Sequence, residues 1–325
     1  MEPVFAPGDL IDDRYRVVRR VGVGGMAEVY EAVGSEDGER SAIKTVRPDL
    51  LGNSKIITRF KREYELSQRI SHPGVLSISE VVETQRPGAS EGSKLVPCMV
   101  MELLEGETLA DRLIDGRLVE PDEAVPLACQ MAAALTAAHR AGVVHRDLKP
   151  DNIFLVENAS GIRVVLTDFG VARRDTAPKD DSLTASNVIL GTPDYMAPEQ
   201  LELEYATSAS DIYAMGLVLF EMILGERPFV ADSMIKMVFK RVQEDPPSPR
   251  SIRPDLDPKW EKVILRCLAR KPEDRFKEAQ DLILVLDGER SEWLLPSGIG
   301  RLKKWWPFVL AAGLLAAAVA ASILW

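Results

Sequence analysis

The sequence predicts an α+β protein built as two lobes, with one further helix appended at its C-terminal end. Three observations carry this reading. Residues 14–46 are β-prone segments separated by turn signals, helical periodicity takes over after Gly106, and the stretch "WPFVLAAGLLAAAVAASILW" at the end contains no charge. Strands first and helices afterwards is the order of an α+β chain, with the join here near residues 102–107.

The first elements frame a glycine loop. "YRVVRRVG" and "AEVYEAVG" read as strands, "SEDGER" as a turn, and "SAIKTV" as a third strand. Between the first two lies "VGVGGMAEVY", where Gly22, Gly24 and Ala27 fit G-x-G-x-x-G/A, a pattern that also marks dinucleotide sites. A dinucleotide turn must open a helix so that the pyrophosphate meets the helix N-terminus. Here the glycines lie between strands and no acidic ribose partner follows, so the loop is a hairpin tip. Residues 55–70, "KIITRFKREYELSQRI", place Ile56, Phe60 and Ile70 at helical spacing, and His72-Pro73 ends the run. Strands are predicted at 75–83 and 95–103, around the polar connection "TQRPGASEGSK". Helices are predicted at 108–115, 121–141, 208–225, 232–243, 258–269 and 276–287, with no internal repeat.

Composition removes several classes of function. A chain of 325 residues with 46% hydrophobic and 28% charged residues is globular and long enough for two lobes. Its net charge of -10 leaves no basic excess to neutralise phosphates, which argues against nucleic acid as a partner. Cys98, Cys129 and Cys267 are far apart and form no C-x-x-C pair, so neither a disulfide scaffold nor a zinc site is expected. Three histidines are too few for a histidine metal centre.

The charge-free tail is expected to cross a membrane. At 1.5 Å per residue, about twenty residues span a bilayer core. Trp305, Trp306 and Trp325 fall where an interfacial aromatic belt belongs, and Arg301, Lys303 and Lys304 precede the span. The expected layout is a cytoplasmic region, a juxtamembrane linker at 289–304 and one transmembrane helix at 305–325 in the cytoplasmic membrane. The alternative is a buried or subunit-docking helix. Gly313 and Ala317 have the small-xxx-small spacing that permits a homodimer.

Chemistry enters with "HRDLKPDN" (His145 to Asn152), "DFG" (Asp168 to Gly170), "APE" (Ala197 to Glu199) and Lys44 in "SAIK", all downstream of the glycine loop. One such motif arises by chance; five in this order do not. The chain resembles the eukaryotic-like (Hanks-type) serine/threonine protein kinases, and its "GGMAEVY" is similar to their bacterial branch. The resemblance covers about residues 10–288. It implies a two-lobed protein kinase fold, with an N-lobe at 10–104 and a C-lobe at 105–288. It also implies ATP, Mg²⁺ (or Mn²⁺) and protein substrates bearing Ser or Thr.

Phosphoryl transfer concentrates negative charge, so positioning and electrostatics supply most of the catalysis. The resemblance gives each residue a task. Gly22, Gly24 and Gly25, with Val21 and Val23 in the same loop, let the backbone approach the ATP phosphates where a Cβ would intrude. Ala27 stands in the place of the third family glycine, which makes loop closure a little less free. Lys44 is expected to bind the α- and β-phosphates, partnered by a glutamate of the first helix. Glu63 and Glu65 are both available. Glu63, nine residues before His72, matches the family position, and Glu65 lies about 200° around the helix. Asp147 is the expected catalytic base and Lys149 steadies the transferring phosphate. Asn152 and Asp168 supply oxygen ligands suited to Mg²⁺. For adenine, Val29 and Ala42 are expected above, Phe154 or a neighbour below, Met101 as gatekeeper, and Glu102 and Leu104 at the hinge. His145, His72 and His139 are expected to be structural.

Regulation is expected between DFG and APE. Arg146 is placed to receive a phosphate from that loop, and Thr184 and Ser186 are the candidate acceptors. Thr192 is implied to contact Asp147 and Lys149. Glu199 is expected to pair with Arg275 of "PEDRF", and Asp211 of "SDIYAMG" to brace the catalytic loop. The function implied is a membrane-tethered serine/threonine protein kinase activated by autophosphorylation. Its rival is a catalytically silent pseudokinase acting as a membrane-bound scaffold. Loss of Lys44, Asp147, Asn152 or Asp168 would favour that rival, and all are present.

Overall fold

The N-lobe is a twisted antiparallel sheet with one helix against it. In this computed structural model, which describes residues 3–88, 95–159, 161–169, 193–202 and 206–287, strands β1 (Leu10–Ile11), β2 (Tyr15–Val23), β3 (Ala27–Gly34) and β4 (Arg40–Val46) come first. Helix α1 (Ser54–Ser67), β5 (Ile78–Thr84) and β6 (Val96–Glu102) follow, and the six strands run in the order β1-β2-β3-β4-β6-β5. Strand alternation sends Val17, Tyr30, Ala32, Ile43, Cys98 and Val100 to one apolar cluster, which Val4 and Phe5 of the N-terminal segment complete. Val46 and Met99 face a second cluster with Phe60 of α1 and Ile78.

Helix α1 starts where Asn53 accepts a hydrogen bond from the Lys55 amide. Its buried residues are Phe60, Glu63 and Ser67, a stripe at helical spacing that includes one acid.

The C-lobe begins with β7 (Gly106–Thr108), α2 (Leu109–Arg112) and the long α3 (Pro121–Arg140). Strands β8 (Ile153–Asn158) and β9 (Gly161–Leu166) complete a small sheet in the order β7-β8-β9. Among the described residues, six helices follow: α4 (Pro198–Leu201), α5 (Ser208–Leu224), α6 (Met234–Gln243), α7 (Pro249–Ile252), α8 (Pro258–Cys267) and α9 (Gln280–Leu286). Every residue of α5 from Ser210 to Phe220 is buried, so this helix is the axis of the lobe. Gly216 is what lets α8 approach it, because a Cβ there would lie 2.6 Å from that of Cys267. The lobes are also joined behind the cleft, where Leu76 N donates to Leu166 O and Leu166 N to Gly74 O.

Two helices are much shorter than their periodicity predicts. The segment 108–115 breaks after Arg112, because Asp115 (φ 60) and Gly116 (φ 71) turn the chain through the left-handed region. The segment 276–287 becomes helical only at Gln280, after the Asp281 carboxylate has accepted the Glu278 amide. Among the described residues, no helix is long and apolar enough to cross a membrane. The linker expected at 289–304 and the span at 305–325 lie outside the described residues.

Candidate active site

The cleft between the lobes is roofed by β2, β3 and β4. Cross-strand pairing sets Val29 opposite Lys44 and Ala42 opposite Met101, so these side chains share the face of the sheet turned toward the cleft. Ala42 is buried, while Val29, Met101, Glu102 and Leu104 are partly so. Met101 also packs against the apolar cluster under α1. On the opposite side Phe154 lies in β8, half-buried, paired with Val165.

At the hairpin tip, Gly24 N donates to Ala27 O at 2.8 Å. A Cβ on Gly25 would meet nothing within 4 Å, and one on Gly24 or Gly22 only ordinary contacts at 3.5 and 4.0 Å. None of the three has a positive φ. Neither packing within the chain nor backbone conformation calls for glycine here. The bare backbone leaves room for a ligand, and flanking Val21 and Val23 are exposed. Ala27 is the first residue of β3, paired with Val46, where a methyl group is accommodated.

Lys44 lies beneath this loop. It donates to Glu63 Oε1 and Oε2 at 2.7 and 3.0 Å, and to Asp168 Oδ1 at 2.5 Å. Glu65, two residues along α1, is exposed. Burial works against a charged Lys44, but the two carboxylates more than offset it and hold its pKa above the ordinary lysine value. Burial pushes the Glu63 carboxyl up, reinforced by the charge of Asp168 and only partly opposed by Lys44. Burial acts on Asp168 in the same direction, yet Lys44 keeps it below the usual carboxylate range. The Asp168 side chain is 47% exposed to the cleft, so it can reach a ligand as well as Lys44.

The loop at 145–152 faces this group. Asn152 Nδ2 donates to Asp147 O at 2.8 Å and to Asp147 Oδ2 at 3.3 Å, and Lys149 Nζ lies 3.1 Å from the same carboxylate oxygen. Committing its nitrogen to Asp147 leaves the Asn152 amide oxygen for a cation. That oxygen and the Asp168 carboxylate are the hard donors a divalent ion such as Mg²⁺ takes, so the donor set fits the metal. The Asp147 and Lys149 side chains are both partly exposed, open to a substrate hydroxyl.

Two residues here have left-handed backbones, Arg146 (φ 69) and Asp168 (φ 60), and such conformations persist only where neighbours enforce them. For Arg146 the enforcer is Asp211 at the start of α5. Its carboxylate accepts His145 N at 2.7 Å and Arg146 N at 2.8 Å, while His139 Nε2 lies 2.7 Å from it. The His145 ring is fully buried against Phe169, 4.5 Å between centroids, and burial lowers its pKa so that it packs as a neutral ring. His72 accepts the Gly74 amide in a turn.

Below, Arg275 donates to both Glu199 oxygens at 2.7 and 2.8 Å, and Ser210 Oγ adds a third bond at 2.7 Å. Burial raises the Glu199 pKa, but these bonds more than offset it and leave the carboxyl below its ordinary range.

Several contacts at the site carry no motif. Gln200 reaches from α4 to Arg146 O, Arg163 of β9 pairs with hinge residue Glu102, and Arg62 is close enough for its charge to lower the Arg146 pKa alongside burial. Gly170, Thr184, Ser186 and Thr192 lie outside the described residues.

A glycine hairpin over a lysine–glutamate pair, facing an Asp–Asn loop across a single hinge, defines a protein kinase fold. The chain belongs to the protein kinase domain family, whose model matches residues 15–283. It is similar to the serine/threonine-protein kinase PknB of Mycolicibacterium smegmatis, 33% identical over 86% of this chain and 44% of that protein. It is likewise similar to the serine/threonine-protein kinase PrkC of Bacillus subtilis, 35% identical over 85% of this chain and 40% of that one. The chain thus spans about two-fifths of the length of these curated relatives. The crystal structure of the Mycobacterium tuberculosis PknI kinase domain superposes with a TM-score of 0.64 at 26% identity, covering 87% of this chain and 98% of that one.

Proposed function

We propose that this chain is a serine/threonine protein kinase that transfers the ATP γ-phosphoryl group to hydroxyls of proteins, with Mg²⁺ as its metal. The observation that carries the reading is Lys44, held between Glu63 and Asp168 beneath a loop of bare backbone. Lys44 meets the α- and β-phosphates, and the glycine hairpin supplies amides to the phosphate chain. Val29, Ala42 and Phe154 enclose adenine, Met101 closes the back, and the backbone at Glu102 and Leu104 bonds its edge. The metal, held by Asn152 and Asp168, neutralises phosphate charge when bound. Asp147 orients the substrate hydroxyl and takes its proton as the oxygen bonds to the γ-phosphorus and the bond to the β-phosphate oxygen breaks. Lys149, beside Asp147, stabilises the charge on the moving group.

Two finer readings belong to the same proposal. Arg146, next to Asp147 in the catalytic loop, is the cation that a phosphate on Thr184 or Ser186 would pair with. The tail at 305–325 tethers the domain to the cytoplasmic membrane.

The test is phosphate transfer from γ-labelled ATP by the full chain, to itself and to an added protein, beside Asp147→Asn. Transfer by the wild type alone supports the kinase. Nucleotide binding without transfer in either makes the pseudokinase scaffold the correct reading. Mapping the label to Thr184 or Ser186 tests the regulatory part. Sedimentation of residues 1–325 but not 1–288 with membranes tests the tether.

A further inference from the structure

We propose that Arg241 of α6 is a positioning residue that sets the peptide platform, residues 194–197, against the catalytic loop. The proposal rests on the kinase reading above and extends it: the stretch leading into APE, tied by Gln200 to Arg146 O of the loop that holds Asp147, is taken as the seat of the substrate chain.

Arg241 is 2% exposed. Its guanidinium donates from Nη1 to Met196 O at 3.0 Å and from Nη2 to Asp194 O at 2.6 Å. It lies 5.7 Å from the centre of the Phe229 ring. Burying a guanidinium is costly, and burial lowers its pKa. An apolar side chain would fill the same volume without that cost. What only arginine supplies is a rigid planar fork that spans two carbonyls at once. Here the fork fixes two carbonyls of the platform, two residues apart.

The rest of the segment is tied from other directions. The Asp194 carboxylate pairs with Arg227, the Tyr195 hydroxyl bonds Glu221 of α5, and Gln200 accepts from Ala197 N while donating to Arg146 O. Gln200 thereby links the end of the segment to the catalytic loop, while Tyr195 anchors it to α5. The platform is therefore suspended between α6 on one side and the Arg146–Asn152 loop on the other. Arg241 is the tether on the α6 side, and removing it loosens substrate alignment while leaving Lys44, Asp168 and the nucleotide cleft untouched.

The experiment compares wild type, Arg241→Met and Arg241→Lys as full chains, with myelin basic protein as acceptor. It records kcat and KM for the acceptor, KM for ATP, ATP hydrolysis without acceptor, and thermal unfolding. Arg241→Met is expected to lower kcat/KM for the acceptor about tenfold, mainly through KM, from losing charge-assisted bonds to two carbonyls. KM for ATP and acceptor-free hydrolysis stay within about twofold. Arg241→Lys, which can satisfy one carbonyl, falls between. Parallel loss of acceptor and ATP functions, or an unchanged acceptor KM in a folded Arg241→Met, overturns the proposal. Should Arg241→Met not fold, the same split in Arg241→Lys upholds it; unfolding of both makes Arg241 purely structural and overturns it. A wild type that hydrolyses ATP and transfers nothing overturns the kinase reading itself, and the proposal with it.

Discussion

Lys44 donates to both carboxylate oxygens of Glu63, at 2.7 and 3.0 Å, across the gap between β4 and α1. The bond is made possible by two independent periodicities. Strand alternation turns Lys44 toward the cleft, and the helical stripe Phe60–Glu63–Ser67 turns the acid inward among apolar neighbours. A buried carboxylate in such a place needs a cation, and Lys44 needs an anion to hold its ammonium in position.

Lys44→Met is accordingly expected to lower kcat for phosphate transfer by about 10²–10³-fold, the usual cost of losing one preorganised charge donor. The measurement is steady-state transfer beside a thermal melt. Near-wild-type kcat in a folded variant would show that phosphate positioning lies elsewhere.

Asp147→Asn tests a different part of the reaction. The Asp147 backbone carbonyl, not its side chain, accepts the shorter bond from Asn152 Nδ2, 2.8 against 3.3 Å. An amide at 147 therefore keeps the loop but cannot take a proton. The expected loss is about 10²–10⁴-fold in kcat, with nucleotide affinity retained within a few-fold. Binding of a fluorescent ATP analogue and transfer rates on the same preparation separate the two effects.

The parts of this site that are local in sequence were legible there. Asp147, Lys149 and Asn152 belong to one short loop, so their meeting follows from chain connectivity. The β-hairpin around Gly22–Gly25 follows from the strands on either side. Helix ends were less legible, because apolar spacing does not report a residue such as Asp115 that leaves the helical region with φ 60. Least legible were single long side chains. Arg62, Arg163, Gln200 and Arg241 have no motif, and their partners are set by how α1, β9, α4 and α6 pack rather than by spacing. A buried arginine is unexpected from composition alone, and only the fold places carbonyls within its reach.

Ala27 is the one departure from three glycines in the glycine hairpin. It opens β3, and its carbonyl accepts Gly24 N at 2.8 Å, the bond that closes the hairpin tip. Glycine there adds backbone freedom worth about 0.5–1 kcal/mol. Ala27→Gly should therefore change KM for ATP by no more than about two- to fivefold, with kcat nearly unchanged. A loss of an order of magnitude in kcat/KM would mean that the loop works in a different conformation from the one described.

The bidentate Glu199–Arg275 pair joins residues 76 positions apart, with Arg275 fully buried and Glu199 nearly so. Removing one partner leaves the other charge stranded, which costs about 3–5 kcal/mol. In a domain of this size that lowers Tm by about 10 °C, and both Arg275→Met and Glu199→Gln should show it at neutral pH. The two variants differ in what acid does to them. Glu199 has a folded pKa depressed below its unfolded value, so the unfolded chain takes up the proton first as pH falls. Its contribution is fully present above about pH 4.3, the unfolded value, and disappears as pH falls through the lower folded value. The Tm gap between wild type and Glu199→Gln should thus be constant from about pH 5 to 8 and close below about pH 4. Arg275→Met reverses the sign. Its Glu199 is buried without a cation, so its folded pKa rises and protonation relieves part of the strain as pH falls below neutrality. Melting curves of the three proteins between about pH 3 and 8 decide the matter: a gap for Glu199→Gln that widens in acid would show that the carboxylate is not the ionised partner of Arg275.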